Sequence, residues 1–371
     1  MNILINCSNL KNGGGLQVAD SFCKQLYKYE QHHFYIVLSS ALTYLKGMLE
    51  MHKNTTIIIY DLKKSIWTVL GGRNKILDNL VIQNNINVAL TVFGPSIWIP
   101  RCPHLCGFAR AQLILKDSPY YKRIGIKTKV IYKIWAWAFK RCSHVFFSEN
   151  DFISDQLQKL FRNVKTYTVT NYYNQIFDEP SEWKRDIEIK KGDGIIILTL
   201  ATPYPHKNIG ITIDITKYLK KNYPNFKFHF VLTCKESDIE VPSSLLSHFT
   251  FIDRVNITQC PYLYEQSDIL FMPSLMECFT ASYPEAMKMG VPIVTTDLNF
   301  AKSLCGNAAC YYSSIDPASA AEAIYKVASD KEYASKLIAN GKERLKKFDN
   351  YNQRADKLIE ILEKISNKCL I

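Results

Sequence analysis

Asp268-Ile269-Leu270-Phe271-Met272-Pro273-Ser274-Leu275-Met276-Glu277-Cys278-Phe279-Thr280-Ala281-Ser282-Tyr283-Pro284-Glu285-Ala286-Met287 is the stretch on which the reading of this chain turns. Its opening apolar run has the length and composition of a buried strand. A helix should start near Thr280, carry Ala281, Glu285, Ala286 and Met289, and stop at Gly290. Pro284 falls in or just past the first turn, where a missing N–H costs least. Two carboxylates therefore flank one strand-to-helix turn, Glu277 in the loop and Glu285 roughly one turn inside the helix. The free N–H groups of the helix start are a seat for an anion. A phosphate on the helix end and hydroxyls on the carboxylates describe a nucleotide-sugar. The bland alternative is an ordinary strand–loop–helix with two solvated glutamates.

Upstream, Ile195 to Leu200 reads as another strand, followed by Ala201-Thr202-Pro203-Tyr204-Pro205-His206-Lys207-Asn208 and a helix through about Asn222. A lysine on the first turn after a strand can reach an anion beside the helix start. Further strands are expected at 226–232, 249–252, 292–295 and 309–312, and a last apolar helix at about 350–366. In the first half, residues 2–7 alternate into a strand. A turn-rich loop ending in Gly13-Gly14-Gly15 follows, and then Leu16, Val18, Ala19, Phe22, Cys23 and Leu26 at helical spacing. Strand, glycine loop and helix open a doubly wound sheet, whose ligands approach the strand C-terminal ends. The loop is not G-x-G-x-x-G and no acidic residue ends a second strand, which argues against a dinucleotide. Taken alone, the glycines can be no more than a permissive turn.

Strands are also expected at 34–38, 55–60, 87–92 and 144–147, and helices near 41–52, 65–84 and 126–141. Phe93 to Ala109, rich in proline and aromatics, reads as an irregular cleft wall. His104 within it is either a hydrogen-bonded structural histidine or an acceptor-side contact.

At 371 residues, with 47% apolar and 22% charged residues, the chain calls for two globular domains. No apolar run approaches the ~18–20 residues of a membrane span. No signal peptide precedes Ile3-Leu4-Ile5, and the 11 cysteines are scattered with no histidine at zinc-ligand spacing, so free thiols in a reducing cytoplasm and no metal site are expected. Charge is uneven: the first 180 residues hold 22 Lys+Arg against 11 Asp+Glu, the rest 24 against 23. Residues 118–148 contain no acid, and Lys122, Arg123, Lys127, Lys129, Lys133, Lys140 and Arg141 alternate there with tyrosine, tryptophan and phenylalanine. Such a helix can lie on an anionic membrane surface. It can equally bury Ile126, Val130, Ile134 and Trp137 in the core and send its lysines outward. No nucleic-acid module is visible, so nucleic acid is not an expected partner.

Pro273-Ser274, Glu277, Phe279, Glu285-Ala286-Met287 and Gly290-Val291-Pro292, with seven residues between the two glutamates, resemble the signature of retaining GT-B glycosyltransferases of family 4. The resemblance implies an α/β fold of two Rossmann-like, doubly wound domains facing a cleft. An acceptor-side domain would span 1–177, a linker 178–193, a donor-binding domain 194–349, and a helix over 350–371 would cross back to the first domain. It implies transfer of a sugar, with retention, from a nucleotide-sugar donor to a hydroxyl acceptor, here a saccharide or lipid-linked saccharide of bacterial surface-polysaccharide assembly. No cofactor is implied, and a metal is commonly not needed. Localisation would be cytoplasmic, with peripheral attachment to the inner face of the plasma membrane if the basic helix is interfacial.

In the resembling family the glycine loop, Gly13, Gly14 and Gly15 here, lies near the donor phosphates. Lys207 would hold the diphosphate, Glu277 the sugar hydroxyls and Glu285 the ribose, with Cys278, Phe279, Thr280 and Ala281 completing the donor loop. Lys207, Glu277 and His104 form the candidate catalytic set. Two positions depart from the pattern. An arginine usually stands five residues before the lysine; Thr202 stands there, leaving His206 as a candidate second contact. The loop Asp297 to Leu304, where an arginine and a glutamate often occur, carries Ala301-Lys302-Ser303. The rival readings are a nucleotide-sugar epimerase of the same fold and a non-catalytic partner in polysaccharide assembly.

Overall fold

The computed structural model describes residues 1–63, 70–189 and 194–367. The chain divides into two compact units: Met1–Leu115, Ile124–Asn171 and Asp349–Ile371 in the first, Lys116–Arg123 and Tyr172–Phe348 in the second.

In the first unit, β1 (Asn2–Asn6), β2 (His33–Leu38), β3 (Thr55–Ile59), β4 (Val88–Thr91), β5 (His104–Gly107), β6 (Val145–Ser148) and β7 (Lys165–Thr168) form a parallel sheet in the order β3-β2-β1-β4-β5-β6-β7. The two-residue period of β1 sends Ile3 and Ile5 to one face, against Phe22 of the helix Gly14–Cys23 and Leu358 and Leu362 of the helix Tyr351–Asn367. Leu4 faces the other way, against Leu77, Val81 and Trp98. Burial on both faces is why the middle of β1, Ile3-Leu4-Ile5, is an unbroken apolar run and not an alternation. The last helix is anchored by buried Arg354, which donates to Asn171 Oδ1, Ser21 Oγ and the carbonyl of Val18.

In the second unit, β8 (Ile195–Thr199), β9 (Phe228–Leu232), β10 (Phe249–Phe251), β11 (Ile269–Met272), β12 (Ile293–Thr296) and β13 (Ala309–Tyr312) are also all parallel, in the order β10-β9-β8-β11-β12-β13. Ile197, Phe230, Phe271 and Val294 pack with Ile215 and Leu219 of the helix Ile211–Asn222. Strand order reverses between β1 and β4 in one sheet and between β8 and β11 in the other. Successive crossovers leave these points on opposite faces, which opens a crevice beyond the strand C-terminal ends.

Several expectations are corrected. Residues 104–107 are not irregular: β5 is wholly buried between β4 and β6, and a side chain at Gly107 would meet the Val92 carbonyl at 1.8 Å. The helix expected at 41–52 begins as a 3-10 segment, Ser40–Leu45, before Lys46–Glu50. Of the helix expected at 65–84, residues 65–69 lie outside the described residues. Gly72 then takes a left-handed φ of 64°, and a new helix, Lys75–Gln83, starts where the Asn74 side chain accepts from Leu77 N–H. A 3-10 turn, Gln175–Asp178, leads into the linker expected at 178–193, which holds a second, Pro180–Glu182, and whose residues 190–193 lie outside the described residues. Ala301, Lys302 and Ser303 sit in a helix, Asn299–Cys305, rather than a loop, with Ala301 fully buried.

Candidate active site

The reversal of strand order sets the loop after β8 beside the loop after β11, although about seventy residues separate them in sequence. Lys207 closes a 3-10 turn, Pro205–Lys207, followed by left-handed Asn208. The helix begins only at Ile211, so Lys207 projects from the connection and not from the helix itself. Leu275 N–H donates to the His206 carbonyl at 2.8 Å, and Ser282 Oγ donates to the Leu200 carbonyl at 3.3 Å. These bonds tie the two loops together. Across them Lys207 Nζ lies 2.5 Å from Glu277 Oε1, with side-chain exposures of only 14% and 11%. Thr296 Oγ1 donates to the Ser274 carbonyl and fixes the same loop to β12.

The helix after the loop is Ser282–Met289, ending on left-handed Gly290 as its sequence predicts and starting two residues later than expected. Glu285 is 3% exposed. Its Oε2 accepts from Tyr264 Oη at 3.0 Å, and the same hydroxyl lies 3.3 Å from the Ser282 carbonyl. Burial raises the Glu285 carboxyl to about 7, with the Tyr264 hydrogen bond working in the opposite direction. No sequence motif pointed to Tyr264, which comes from the separate helix Cys260–Glu265. Cys278 and Thr280 are buried; Ala281 is half-buried, and half-buried Phe279 meets Phe348 edge-on. Thr202 is exposed. His206 is half-buried, stacked on Tyr204 and edge-on to Tyr120. Burial lowers its pKa, Glu277 opposes that shift and Lys207 adds to it. The imidazole is therefore neutral at pH 7 and does not carry the charge of the arginine absent at Thr202.

In the first unit the loops after β1 and β4 are joined by Asn9 Nδ2, which donates to the Phe93 carbonyl at 2.6 Å. Gly13 has a φ of 75° and, like Gly14, no atom within 4 Å of where a side chain would begin; Gly15 faces Leu10 and Phe93. His104 is placed differently from the acceptor-contact expectation. Asn6 Nδ2 donates to Thr91 Oγ1, Thr91 Oγ1 lies 2.9 Å from His104 Nε2, and His104 Nδ1 lies 2.7 Å from the Cys142 carbonyl. This chain is satisfied throughout when Thr91 donates to Nε2 and the protonated Nδ1 donates to Cys142. Burial lowers the ring to about 4, so it stays neutral. With both nitrogens engaged, His104 holds β1, β4, β5 and the end of the helix Ile126–Cys142 together and has none left for a substrate.

That helix does not bury its apolar stripe. Only Ala138, Phe139 and Cys142 are buried, while Ile126 is 81% exposed and Val130, Ile131, Ile134 and Trp137 are about half exposed. At 100° per residue Ile126, Val130, Ile134 and Trp137 fall on one side, with Lys133 and Lys140 along one border and Lys127 along the other. Of the other basic residues of this stretch, Lys122 and Arg123 are grouped with the second unit. No helix among the described residues is long and apolar enough to cross a membrane, and among them no group of three or more His, Cys, Asp or Glu is placed to hold a metal.

Residues 181–344 match the family model for glycosyl transferases group 1. The chain is 25% identical over 277 residues to the O-antigen chain mannosyltransferase RfbU of Salmonella typhimurium, a match covering 72% of each. Anabaena HepE, solved in complex with UDP and glucose, superposes with a TM-score of 0.66 at 13% identity, over 98% of this chain and 99% of that one. WaaG, a glycosyltransferase involved in lipopolysaccharide biosynthesis, gives the same TM-score, identity and coverage.

Proposed function

We propose that this chain, a glycosyltransferase of the GT-B fold, is a retaining enzyme of family 4 that transfers a sugar from a nucleotide-sugar to a saccharide hydroxyl, with a lipid-linked saccharide of bacterial surface-polysaccharide assembly as acceptor. The observation that carries this reading is the Lys207–Glu277 pair at the point where strand order reverses, next to the helix that holds Glu285. The bond between the anomeric carbon and the diphosphate oxygen breaks, its electron pair leaves with the diphosphate, the acceptor oxygen bonds to the same face of the sugar, and the acceptor's hydroxyl proton passes to the departing diphosphate. Lys207 offsets the charge that grows on the departing diphosphate. Glu285 accepts the ribose hydroxyls, and Glu277 accepts hydroxyls of the transferred sugar. Gly13 to Gly15 give the donor phosphates open backbone, and His206 adds a neutral hydrogen bond rather than a charge. Neither a cofactor nor a metal has a step in this reaction.

The likeness to RfbU supports a surface-polysaccharide acceptor and makes nucleotide-linked mannose the first donor to try. The half-exposed apolar stripe bordered by lysines supports attachment of the helix Ile126–Cys142 to the anionic inner leaflet, with the tryptophan and isoleucines at headgroup level. The test is turnover of mannose and glucose nucleotides with and without a lipid-linked saccharide, with the product anomer read by NMR. Transfer that needs acceptor and retains configuration is expected. Conversion of the donor alone would mark an epimerase. Binding without turnover on any acceptor would mark a non-catalytic partner, and inversion would overturn the mechanism.

A further inference from the structure

We infer that Lys207 and Glu277 compete with the donor for each other, so that the site holds an intact nucleotide-sugar in preference to the spent nucleoside diphosphate. The inference rests on the donor reading above. The two groups that the donor would engage are partners of each other at 2.5 Å, with nearly nine-tenths of each side chain shielded. The loops that carry them are fixed by the Leu275–His206 and Ser282–Leu200 bonds. Binding therefore proceeds by a swing of the lysine side chain rather than by parting of the loops.

A diphosphate draws Lys207 away and leaves the Glu277 carboxylate shielded from water, without its cation and beside new negative charge. Each of these is unfavourable. His206, the nearest other candidate to balance Glu277, is held neutral by its burial. An intact donor brings sugar hydroxyls that donate to Glu277 and replace the lost partner. A bare diphosphate brings none. After transfer the sugar has left, Glu277 is again without donors, and re-forming the pair helps to release the product. Glu277 would thus discriminate donor from product, besides orienting the sugar.

The experiment measures UDP and GDP binding by calorimetry for the parent, Glu277→Gln, Glu277→Ala, Lys207→Ala and the double variant Lys207→Ala/Glu277→Gln, with unfolding midpoints as the folding check. Glu277→Gln is nearly isosteric and removes only the charge. It should bind the bare diphosphate roughly tenfold more tightly than the parent while losing turnover, as expected when a shielded ion pair no longer has to be broken. The Ala variant should move in the same direction. Lys207→Ala should weaken diphosphate binding, and the gain from Glu277→Gln should shrink in its background because no pair remains to break. Equal or weaker diphosphate binding by both folded Glu277 variants, with Lys207→Ala still weakened, would overturn the competition and leave the donor reading standing. If the parent binds neither diphosphate nor any nucleotide-sugar, the donor reading fails and the competition fails with it.

Discussion

Glu285→Gln separates the cost of burying a charge from the use of that charge in binding. The Glu285 carboxyl is held at about 7 against an ordinary value of 4.5, chiefly by burial. A folded-state pKa above the unfolded one means the native state favours the protonated form. Stability tied to this group is fully present below about 4.5 and is lost as pH rises through about 7. With these two values the group costs the fold about 1 kcal/mol at pH 5 and about 3 kcal/mol at pH 8. The glutamine amide never ionises, and its oxygen can still accept from Tyr264 Oη, which stands 3.0 Å from Oε2 in the parent. The variant should therefore match the parent to within about 1 kcal/mol at pH 5 and exceed it by about 2–3 kcal/mol at pH 8. Urea unfolding of both proteins at the two pH values measures this, and Glu149, also held at about 7 by burial, cancels because both proteins carry it. Binding should move the other way. Ribose hydroxyls donate better to a carboxylate, so parent affinity for a nucleoside diphosphate should rise from pH 6 to pH 8, and the variant should lose that rise along with about tenfold affinity at pH 8. Parallel stability profiles for the two proteins would refute the argument that burial sets the Glu285 pKa.

Lys207→Ala should lower donor affinity or turnover by about tenfold to a hundredfold, since a charge-assisted hydrogen bond is worth roughly 1.5–3 kcal/mol; unchanged kinetics in a folded variant would remove Lys207 from the site. Changing Lys127, Lys129 and Lys133 together to glutamate should abolish co-sedimentation with anionic vesicles, because each basic residue near such a surface contributes about 1 kcal/mol. Parent binding should itself fall as salt rises, and equal sedimentation with neutral vesicles would argue against the electrostatic part. Arg354→Met should destabilise the first unit by about 3–5 kcal/mol in urea unfolding, because it strips buried donors from Asn171, Ser21 and Val18 and the nearby cation from buried Glu149.

Most strands and the two carboxylates around one turn were legible in the sequence because both are local. An apolar run of four to six residues bounded by turn residues needs no tertiary information to be seen, and neither does a glycine that ends a helix, as Gly290 does here. Several misreadings share one cause: the deciding partner lies far along the chain. Residues 104–107 lie among prolines and aromatics that suggest a loop, yet β4 and β6 on either side make them a central strand. His104 is an ordinary titratable residue until Thr91 and the Cys142 carbonyl occupy both its nitrogens. Tyr264 has no motif around it and matters only because its hydroxyl reaches Glu285.

The helix at 126–142 marks the limit of periodicity most plainly. Its spacing of Ile126, Val130, Ile134 and Trp137 specifies an apolar face but not what covers it, since a core and a lipid surface ask for the same pattern. The fold leaves that face about half exposed instead of packing it into the core. By itself the sequence determined the alternation of strand and helix, the doubled sheet and the chemistry available at each loop, because backbone propensity and burial period act over a few residues. Only the tertiary structure decided which loops meet. Lys207 and Glu277 face each other because strand order reverses between β8 and β11, and that reversal follows from the handed crossovers of the whole unit rather than from any stretch of residues within it.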